Sequence, residues 1–169
     1  MNDTKFEIER KFLIEMPDTE VLKKLPGCEV KHIEQTYLFC SDDSTARVRK
    51  IVSGRGTQYI KTVKERITGE KCIETEYEIT RQQYNEELKA ADTSRNTIVK
   101  TRYCIPYGKL VAEIDIYPFW QKCAIAEFEL ESEGQQFSTP DYIKVIKDVT
   151  FDVDFKNFRL AQRIPDNIE

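Results

Sequence analysis

The chain has 169 residues, of which 33% are charged and 40% hydrophobic, and its formal net charge is −4. This length is enough to bury a core as one domain, residues 1–169, and the slightly acidic balance argues against general affinity for nucleic acid. Five scattered cysteines without a CxxC pair and a single histidine make a zinc site unexpected, so any metal would be held mainly by oxygen, as Mg²⁺, Mn²⁺ or Ca²⁺ are. Because we find no signal peptide and no apolar run long enough for a bilayer, we expect a cytoplasmic protein without membrane partners.

Alternating polar and apolar residues, rich in Ile, Val, Tyr, Phe and Thr, predict about eight strands along the chain. The predicted strands span residues 5–14, 33–40, 44–52, 57–65, 72–80, 97–105, 109–117 and 124–132. Turn residues separate several of them, as in Ser53-Gly54-Arg55-Gly56 and Pro106-Tyr107-Gly108-Lys109. Short loops between so many strands predict an all-β dominated α+β fold, an eight-stranded antiparallel β-barrel or tunnel.

Helices are expected to be few and peripheral. The four predicted helices run from Asp18 or Thr19 to Lys24, from Thr80 to about Ala91, from Asp141 to Lys147 and from Phe155 to Arg163. The second has the strongest local signal, because Thr80 and Gln83 form a capping-box pattern ahead of an apolar stripe.

Charged residues recur two positions apart on most of the predicted strands. Because successive side chains of a strand face opposite ways, each such pair shares one face. The pairs are Glu7/Glu9 with Lys11 beyond them, Arg47/Arg49, Glu76/Glu78, Lys100/Arg102, Glu113/Asp115 and Glu127/Glu129. One pair alone is typical of a solvent-facing strand side. Their repetition, with both signs present, predicts that the strands jointly line a charged cavity.

The two signs suit two kinds of ligand. Arginine offers a planar fork of donors that matches phosphate oxygens, and lysine a mobile point charge. Paired carboxylates supply the oxygen ligands that hard divalent cations require. Burying either set by itself would cost on the order of several kcal/mol per ion, a cost that falls when the sets are interleaved. The pattern therefore predicts a site for a polyanion together with a divalent cation.

The ordered motifs resemble the CYTH superfamily, the triphosphate tunnel metalloenzymes. The series begins with Glu7-Ile8-Glu9-Arg10-Lys11, which matches ExExK, and continues with Tyr37-Leu38, Arg47-Val48-Arg49, Thr62-Val63-Lys64, Glu76-Tyr77-Glu78, Lys100-Thr101-Arg102, Glu113-Ile114-Asp115 and Glu127-Phe128-Glu129. The resemblance runs from end to end and is strongest to the small bacterial tripolyphosphatase-type members. It implies an eight-stranded antiparallel tunnel with a charged interior, and activity on inorganic or organic triphosphates with Mg²⁺ or Mn²⁺. Members often pair as dimers, so the resemblance is compatible with a homodimer, although the sequence does not decide the oligomeric state.

The resemblance also implies roles for individual residues. The implied metal ligands are Glu7, Glu9, Glu127 and Glu129, with Glu76, Glu78 and Asp115 as an acidic wall or second metal site. The implied substrate contacts are Arg47, Arg49, Lys64, Lys100, Arg102 and Lys156. Lys11 and Tyr37 match the family's lysine–tyrosine pair, which would help to activate the attacking water. Apart from the resemblance, a lysine that is placed among cations and partly desolvated is expected to have a lowered pKa. The sequence departs from the family at Asp154, where an arginine is usual. The alternation of side chains along the strand does not decide whether Lys61 or Lys64 faces the tunnel.

Hydrolysis of a small-molecule triphosphate is the leading functional hypothesis, with inorganic triphosphate as substrate. A class IV-type adenylate cyclase or a thiamine triphosphatase would use the same scaffold. Trp120 would then be a candidate stacking platform, although a loop or wall aromatic is the favoured interpretation. A non-catalytic polyphosphate-binding module is the alternative from another functional class. It would retain the phosphate-gripping cations without needing Lys11 or the metal ligands.

Overall fold

The computed structural model describes residues 2–6, 8–40, 44–68, 71–132 and 134–165. Within them, one antiparallel sheet of ten strands dominates the fold. The strands are β1 (Asn2–Phe6), β2 (Glu9–Glu15), β3 (Glu29–Leu38), β4 (Ser44–Ser53), β5 (Gly56–Thr68), β6 (Lys71–Glu78), β7 (Ile98–Tyr107), β8 (Leu110–Ile116), β9 (Cys123–Glu129) and β10 (Val145–Asp148). The helices are α1 (Thr19–Lys24), α2 (Arg81–Glu87) and α3 (Asn157–Leu160), with 3₁₀ turns at Leu88–Ala90 and Val153–Phe155.

The sheet has the order β1-β6-β5-β4-β3-β7-β8-β9-β2-β10, so the prediction of an eight-stranded closed barrel needs correction. Among the described strands, β1 and β10 stand at the two ends of the ladder. The single strand predicted over 5–14 is divided into β1, which pairs with β6, and β2, which pairs with β9. The remaining seven predicted strands are present with shifted ends. β10 was not predicted.

The N-terminal chain nevertheless brings two distant parts of the sheet together. The Cα atoms of Phe6 and Glu9 are three residues apart along the chain, a span of at most about 11 Å. Phe6 is in register with Ile73 of β6, and Glu9 is in register with Glu129 of β9. The sheet must therefore curve until its β6 side lies near its β9 side.

Apolar side chains cover the outer face of this curved sheet. Val48 of β4 is fully buried and belongs to a cluster with Leu38 and with Tyr84 of α2. Its chain neighbours Arg47 and Arg49 lie on the opposite face and line a cavity. A larger cluster around Phe128 covers other strands on this outer face.

A third cluster, around Tyr117, lies on the inner face. It includes Leu13 and Ile125, which share a strand face with Lys11 and Glu127. The inner face of the sheet therefore carries both the charged cavity and an apolar cluster beside it.

The predicted helices have mixed outcomes. Asp18 caps α1, and Thr80 and Gln83 form both hydrogen bonds of a capping box on α2, as the sequence predicts. The predicted helix from Asp141 to Lys147 is wrong, because pairing with β2 makes Val145–Asp148 a strand. The predicted helix from Phe155 to Arg163 is shortened to α3. None of the helices in the described ranges has the length and apolarity needed to traverse a bilayer.

Gly27, between α1 and β3, is expected to tolerate alanine poorly. Its φ is +73°, and an added Cβ would lie 2.9 Å from Cγ of Pro106. Gly108 is a matched control, with φ of +60° and nothing within 4 Å of its Cβ position. The left-handed backbone conformation should lower the free energy of unfolding of both alanine variants by about 1 kcal/mol. Overpacking should lower that of Gly27→Ala by about 1–3 kcal/mol more. Urea unfolding would measure this difference, and equal losses would contradict the role of the Pro106 contact.

Candidate functional site

A cavity of about 750 Å³ lies on the inner face of the curved sheet and is lined mainly by charged side chains. The basic residues that line it are Lys11, Arg47, Arg49, Lys64, Arg95, Lys100, Arg102 and Lys156. The acidic residues that line it are Glu9, Glu74, Glu76, Asp92, Glu113, Glu127 and Glu129. Most of these charges come from strands, so the fold brings together the charged strand faces that the sequence indicated.

The register of β8, β9 and β2 builds an acidic wall. Glu9 lies directly opposite Glu129, and Glu113 lies directly opposite Glu127. Like charges directly opposite each other on neighbouring strands are destabilising unless a cation offsets them. Lys11, directly opposite Glu127, supplies part of that charge, with its Nζ 2.9 Å from Glu127 Oε1.

Arg102 of β7 connects this wall to the buried carboxylate of Asp115. Its Nε and Nη2 donate to the two oxygens of Asp115 at 2.6 and 2.7 Å, and Nη2 also donates to Glu127 at 2.8 Å. Nη1 donates to Glu113. Burial alone would lower the pKa of Arg102, but Asp115 and Glu113 raise it well above its usual value.

Lys100 shares Asp115 with Arg102. Its Nζ lies 2.5 Å from Asp115 Oδ2, and both side chains are buried. Burial and the nearby Arg102 nevertheless lower the pKa of Lys100. Asp115 is fully buried and does not line the cavity, so it holds two cations in position from behind.

Lys11 and Tyr37 both line the cavity and are buried. Burial would lower the pKa of Lys11, but Glu127 and Glu9 together raise it, so the expectation of a lowered pKa is wrong. The ammonium form of Lys11 is stabilised by its carboxylate neighbours. Burial raises the pKa of Tyr37, although Arg47 and Lys11 oppose this shift, and its hydroxyl accepts a hydrogen bond from Gln35 Nε2 at 3.0 Å.

A second wall, formed by β4, β5 and β6, is mainly basic. Arg49 donates to Glu76 and, at 3.3 Å, to Thr62 Oγ1, while its buried Nε has no hydrogen-bond partner among the described residues. Burial and the adjacent Arg47 lower the pKa of Arg49 to about 10. Arg47 and Lys64 lie beside Glu74, at 3.5 and 3.3 Å. An additional negative charge would be stabilised at such a wall.

The C-terminal segment contributes to one end of the cavity. Phe158 packs edge-on against Tyr37 with ring centroids 5.1 Å apart, and Arg95 lies over the Phe158 ring at 3.4 Å from its centroid. Arg95 Nη1 also donates to the Phe158 carbonyl at 2.7 Å. Lys156 lines the cavity, whereas Asp154 is exposed and does not. Arg95 is thus a cation at this end that the sequence did not single out.

The structure brings most of the predicted site residues together. Those that line the cavity are Lys11, Tyr37, Arg47, Arg49, Lys64, Lys100, Arg102, Lys156, Glu9, Glu127, Glu129 and Glu76. Glu7 lies outside the described residues, and Glu78 is exposed at the end of β6, where it does not line the cavity.

Several neighbouring assignments are also decided by the fold. Glu74 lines the cavity in place of Glu78. The sequence contains an indication of this, because Glu74, Glu76 and Glu78 are spaced two residues apart and therefore face the same side of the strand. Lys64 lines the cavity, whereas Lys61 pairs with Glu87 outside it at 2.6 Å. Trp120 lies in the loop between β8 and β9, where it is buried against Tyr117 and Phe155 and does not line the cavity.

The carboxylate oxygens of the acidic wall are the type of ligand that a hard divalent cation prefers, and the strand register places these carboxylates opposite each other. Among the described residues, however, no three His, Cys, Asp or Glu side chains are grouped to hold a metal ion. Glu127 instead contacts Lys11 and Arg102, and Glu9 lies 3.4 Å from Lys11. Binding of Mg²⁺ or Mn²⁺ by these carboxylates would therefore require the ion pairs with Lys11 and Arg102 to rearrange.

Comparisons with known proteins agree with this geometry. The CYTH domain profile matches residues 5–147. The crystal structure of the inorganic triphosphatase NE1496 is similar at 29% identity and a TM-score of 0.58, covering 94% of this chain and 96% of that one. Another structure of NE1496, described as a hypothetical protein, gives 30% identity and a TM-score of 0.59 over 94% and 99% of the two chains.

PH1819 from Pyrococcus horikoshii OT3 shares the fold, at 21% identity and a TM-score of 0.57 over 75% of this chain and 80% of that one. No curated protein matches the chain significantly.

Substitution of Arg102 by methionine should destabilise the fold strongly. The change leaves the fully buried carboxylate of Asp115 without two of its hydrogen bonds, and breaking a buried ion pair typically costs about 3–5 kcal/mol. Lys50→Met is a control, because its pair with Glu34 at 3.2 Å is exposed and should contribute less than about 1 kcal/mol. Urea unfolding without metal or phosphate would measure the free energy of unfolding of both variants. A small loss of stability in Arg102→Met would refute the central role of this contact.

Proposed function

The chain belongs to the CYTH domain family, and from this premise we propose that it hydrolyses inorganic triphosphate with the help of Mg²⁺ or Mn²⁺. The observation that carries the proposal is the separation of charge within the cavity. Carboxylates of β2, β8 and β9 form one wall, and the cations of β4 and β5 form another. A metal-bound polyanion complements both walls at once.

The cations are suited to a chain of phosphate groups. Arg47, Arg49 and Lys64 come from adjacent strands, which spaces them along a wall. Guanidinium groups can contact two phosphate oxygens at once, and Lys64 adds a flexible point charge. The Nε of Arg49, for which the described part of the chain offers no partner, and the lowered pKa of its guanidinium also favour an incoming anion.

The metal would be held by Glu9, Glu127 and Glu129, together with Glu7 of the same motif. Bound there, Mg²⁺ or Mn²⁺ would withdraw charge from phosphate oxygens. Glu76 lies in the cavity next to Arg49 and orients that guanidinium. Asp115 holds Lys100 and Arg102 from behind. A tunnel closed by the N-terminal chain is part of this proposal, and the curvature imposed by β1 and β2 supports it.

Lys11 and Tyr37 are proposed to act at the reacting phosphate. Since Glu127 and Glu9 hold Lys11 in its ammonium form, its role is to stabilise developing negative charge and not to accept a proton. Tyr37, whose hydroxyl is positioned by Gln35, would orient the attacking water or a phosphate oxygen. Positioning and charge neutralisation are the main tasks in phosphoryl transfer.

The first test is phosphate release from tripolyphosphate with Mg²⁺ or Mn²⁺, beside ATP with detection of cyclic AMP. Lys11→Ala should lower kcat by about 10²–10³-fold, the usual effect of removing a preorganised charge stabiliser. Lys61→Ala removes a lysine that lies outside the cavity and should retain wild-type turnover. Wild-type turnover in Lys11→Ala would refute its role, and cyclic AMP from ATP without phosphate release would indicate a cyclase.

Neutralising Glu9 should increase the metal requirement. Glu9→Gln removes one of the two carboxylates that lie opposite each other at the β2–β9 pairing. We expect half-maximal turnover at a Mg²⁺ or Mn²⁺ concentration at least about tenfold higher, since a hard cation prefers charged oxygen ligands. Glu34→Gln, at an exposed position on β3, is the control. An unchanged metal titration for Glu9→Gln would exclude Glu9 as a ligand.

A further inference from the structure

Glu74 is an acidic residue placed among the cations of the basic wall. We propose that its carboxylate is an internal counter-ion, which occupies the place of a substrate phosphate group on Arg47 and Lys64 until triphosphate displaces it. The proposal deepens the proposed function, on which it relies for the identity of the anion. It assigns to Glu74 a role in setting anion affinity, distinct from holding metal.

The geometry resembles that of a phosphate group bound between two cations. Glu74 Oε1 lies 3.5 Å from Arg47 Nη2, and Glu74 Oε2 lies 3.3 Å from Lys64 Nζ. Each carboxylate oxygen therefore faces a different cation, as two oxygens of one phosphate group would. The Glu74 side chain is only 12% exposed, so its charge relies on these neighbours more than on water.

The position of Glu74 follows from strand register. Glu74 of β6 lies directly opposite Lys64 of β5, and Lys64 lies opposite Thr45 of β4, two residues from Arg47. Backbone pairing thus fixes the carboxylate on β6, beside the β5 and β4 cations of the basic wall. Glu74 thus has a lysine opposite it on the neighbouring strand, whereas Glu9 and Glu129 of the acidic wall lie directly opposite each other where β2 pairs with β9.

The contacts of Glu74 with Arg47 and Lys64 are also suited to displacement. Charge-assisted N–H···O bonds are usually about 2.7–2.9 Å long, so separations of 3.3 and 3.5 Å are loose. Glu76 provides a contrast within the same strand, because it accepts hydrogen bonds from both Arg49 and Thr62. Glu76 therefore positions an arginine, whereas Glu74 is a competitor that an anion can replace.

A tethered competitor lowers the affinity for every anion that uses these two cations. An anion that reaches only Arg47 and Lys64 gains little by displacing Glu74. Triphosphate can also contact Arg49, and its additional contacts offset the displacement. Glu74 would in this way favour longer phosphate chains over orthophosphate.

The test is isothermal titration calorimetry of the full chain with tripolyphosphate in EDTA, which removes metal binding and turnover from the measurement. Glu74→Gln should bind tripolyphosphate about tenfold more tightly than the wild type, because the ligand no longer has to displace a carboxylate from Arg47 and Lys64. This factor corresponds to the contribution of one partly buried ion pair. Glu87→Gln is the matched control, because it also neutralises a glutamate paired with a β5 lysine, in this case Lys61 outside the cavity. It should bind as the wild type does.

Each outcome supports or overturns the proposal. Unchanged or weaker binding by Glu74→Gln overturns it, as does equal tightening in Glu87→Gln, which would reflect net charge alone. Glu74→Asp, which draws the carboxylate back by one methylene, should give an intermediate affinity and provides a second variant if the glutamine protein does not fold.

Failure of this proposal is distinguishable from failure of the proposed function. If neither the wild type nor Glu74→Gln binds tripolyphosphate in EDTA, the counter-ion role is refuted, while turnover with Mg²⁺ would still support the hydrolase. If Glu74→Gln binds more tightly but the wild type releases no phosphate with metal, the counter-ion role stands and the hydrolase proposal fails.

Discussion

Arg102 holds three carboxylates on two neighbouring strands, and this contact makes a charged interior compatible with a stable sheet. Asp115 receives two of its hydrogen bonds while fully buried, and Glu113 and Glu127 receive the others at the cavity wall. Buried ions require such partners, because desolvation of an isolated charge costs several kcal/mol as an order of magnitude. The acidic wall, the position of Lys100 and the electrostatic environment of Lys11 all depend on this arrangement.

The same compensation has a consequence for ligand binding. Carboxylates and cations of the cavity are partly held by each other, as in the contacts of Glu127 with Lys11 and of Glu76 with Arg49. A metal–phosphate complex could replace such pairs, because the metal would offset the carboxylates and the phosphates would offset the basic side chains. A metal ion alone, or an anion alone, would leave one member of each broken pair uncompensated. The proposed role of Glu74 is a local instance of this general constraint.

The fold supplies the second constraint, which is curvature. β1 and β2 are consecutive in the chain but pair with β6 and β9, so the N-terminal segment draws together regions that lie far apart in the strand order. The inner face then becomes a cavity, and the outer face needs an apolar cover. α2 provides part of that cover through Tyr84. The C-terminal segment instead packs Phe155 and Leu160 against inner-face residues such as Leu13 and Ile125, beside the cavity.

Alternation along the strands determined much of this arrangement. Arg47, Val48 and Arg49 were predicted to face opposite sides of a sheet because side-chain direction has a period of two residues, and Arg47 and Arg49 line the cavity while Val48 is buried in an outer cluster. The ordered motifs identified the family, and local hydrogen bonding was enough to predict the caps of α1 and α2. Tertiary structure decided what depends on partners distant in sequence: that Val145–Asp148 pairs with β2 as a strand, that Glu74 and not Glu78 lines the cavity, and that Arg95 reaches it beside Phe158. It also decided the charge state of Lys11, because a pKa depends on which carboxylates the fold places beside the ammonium group.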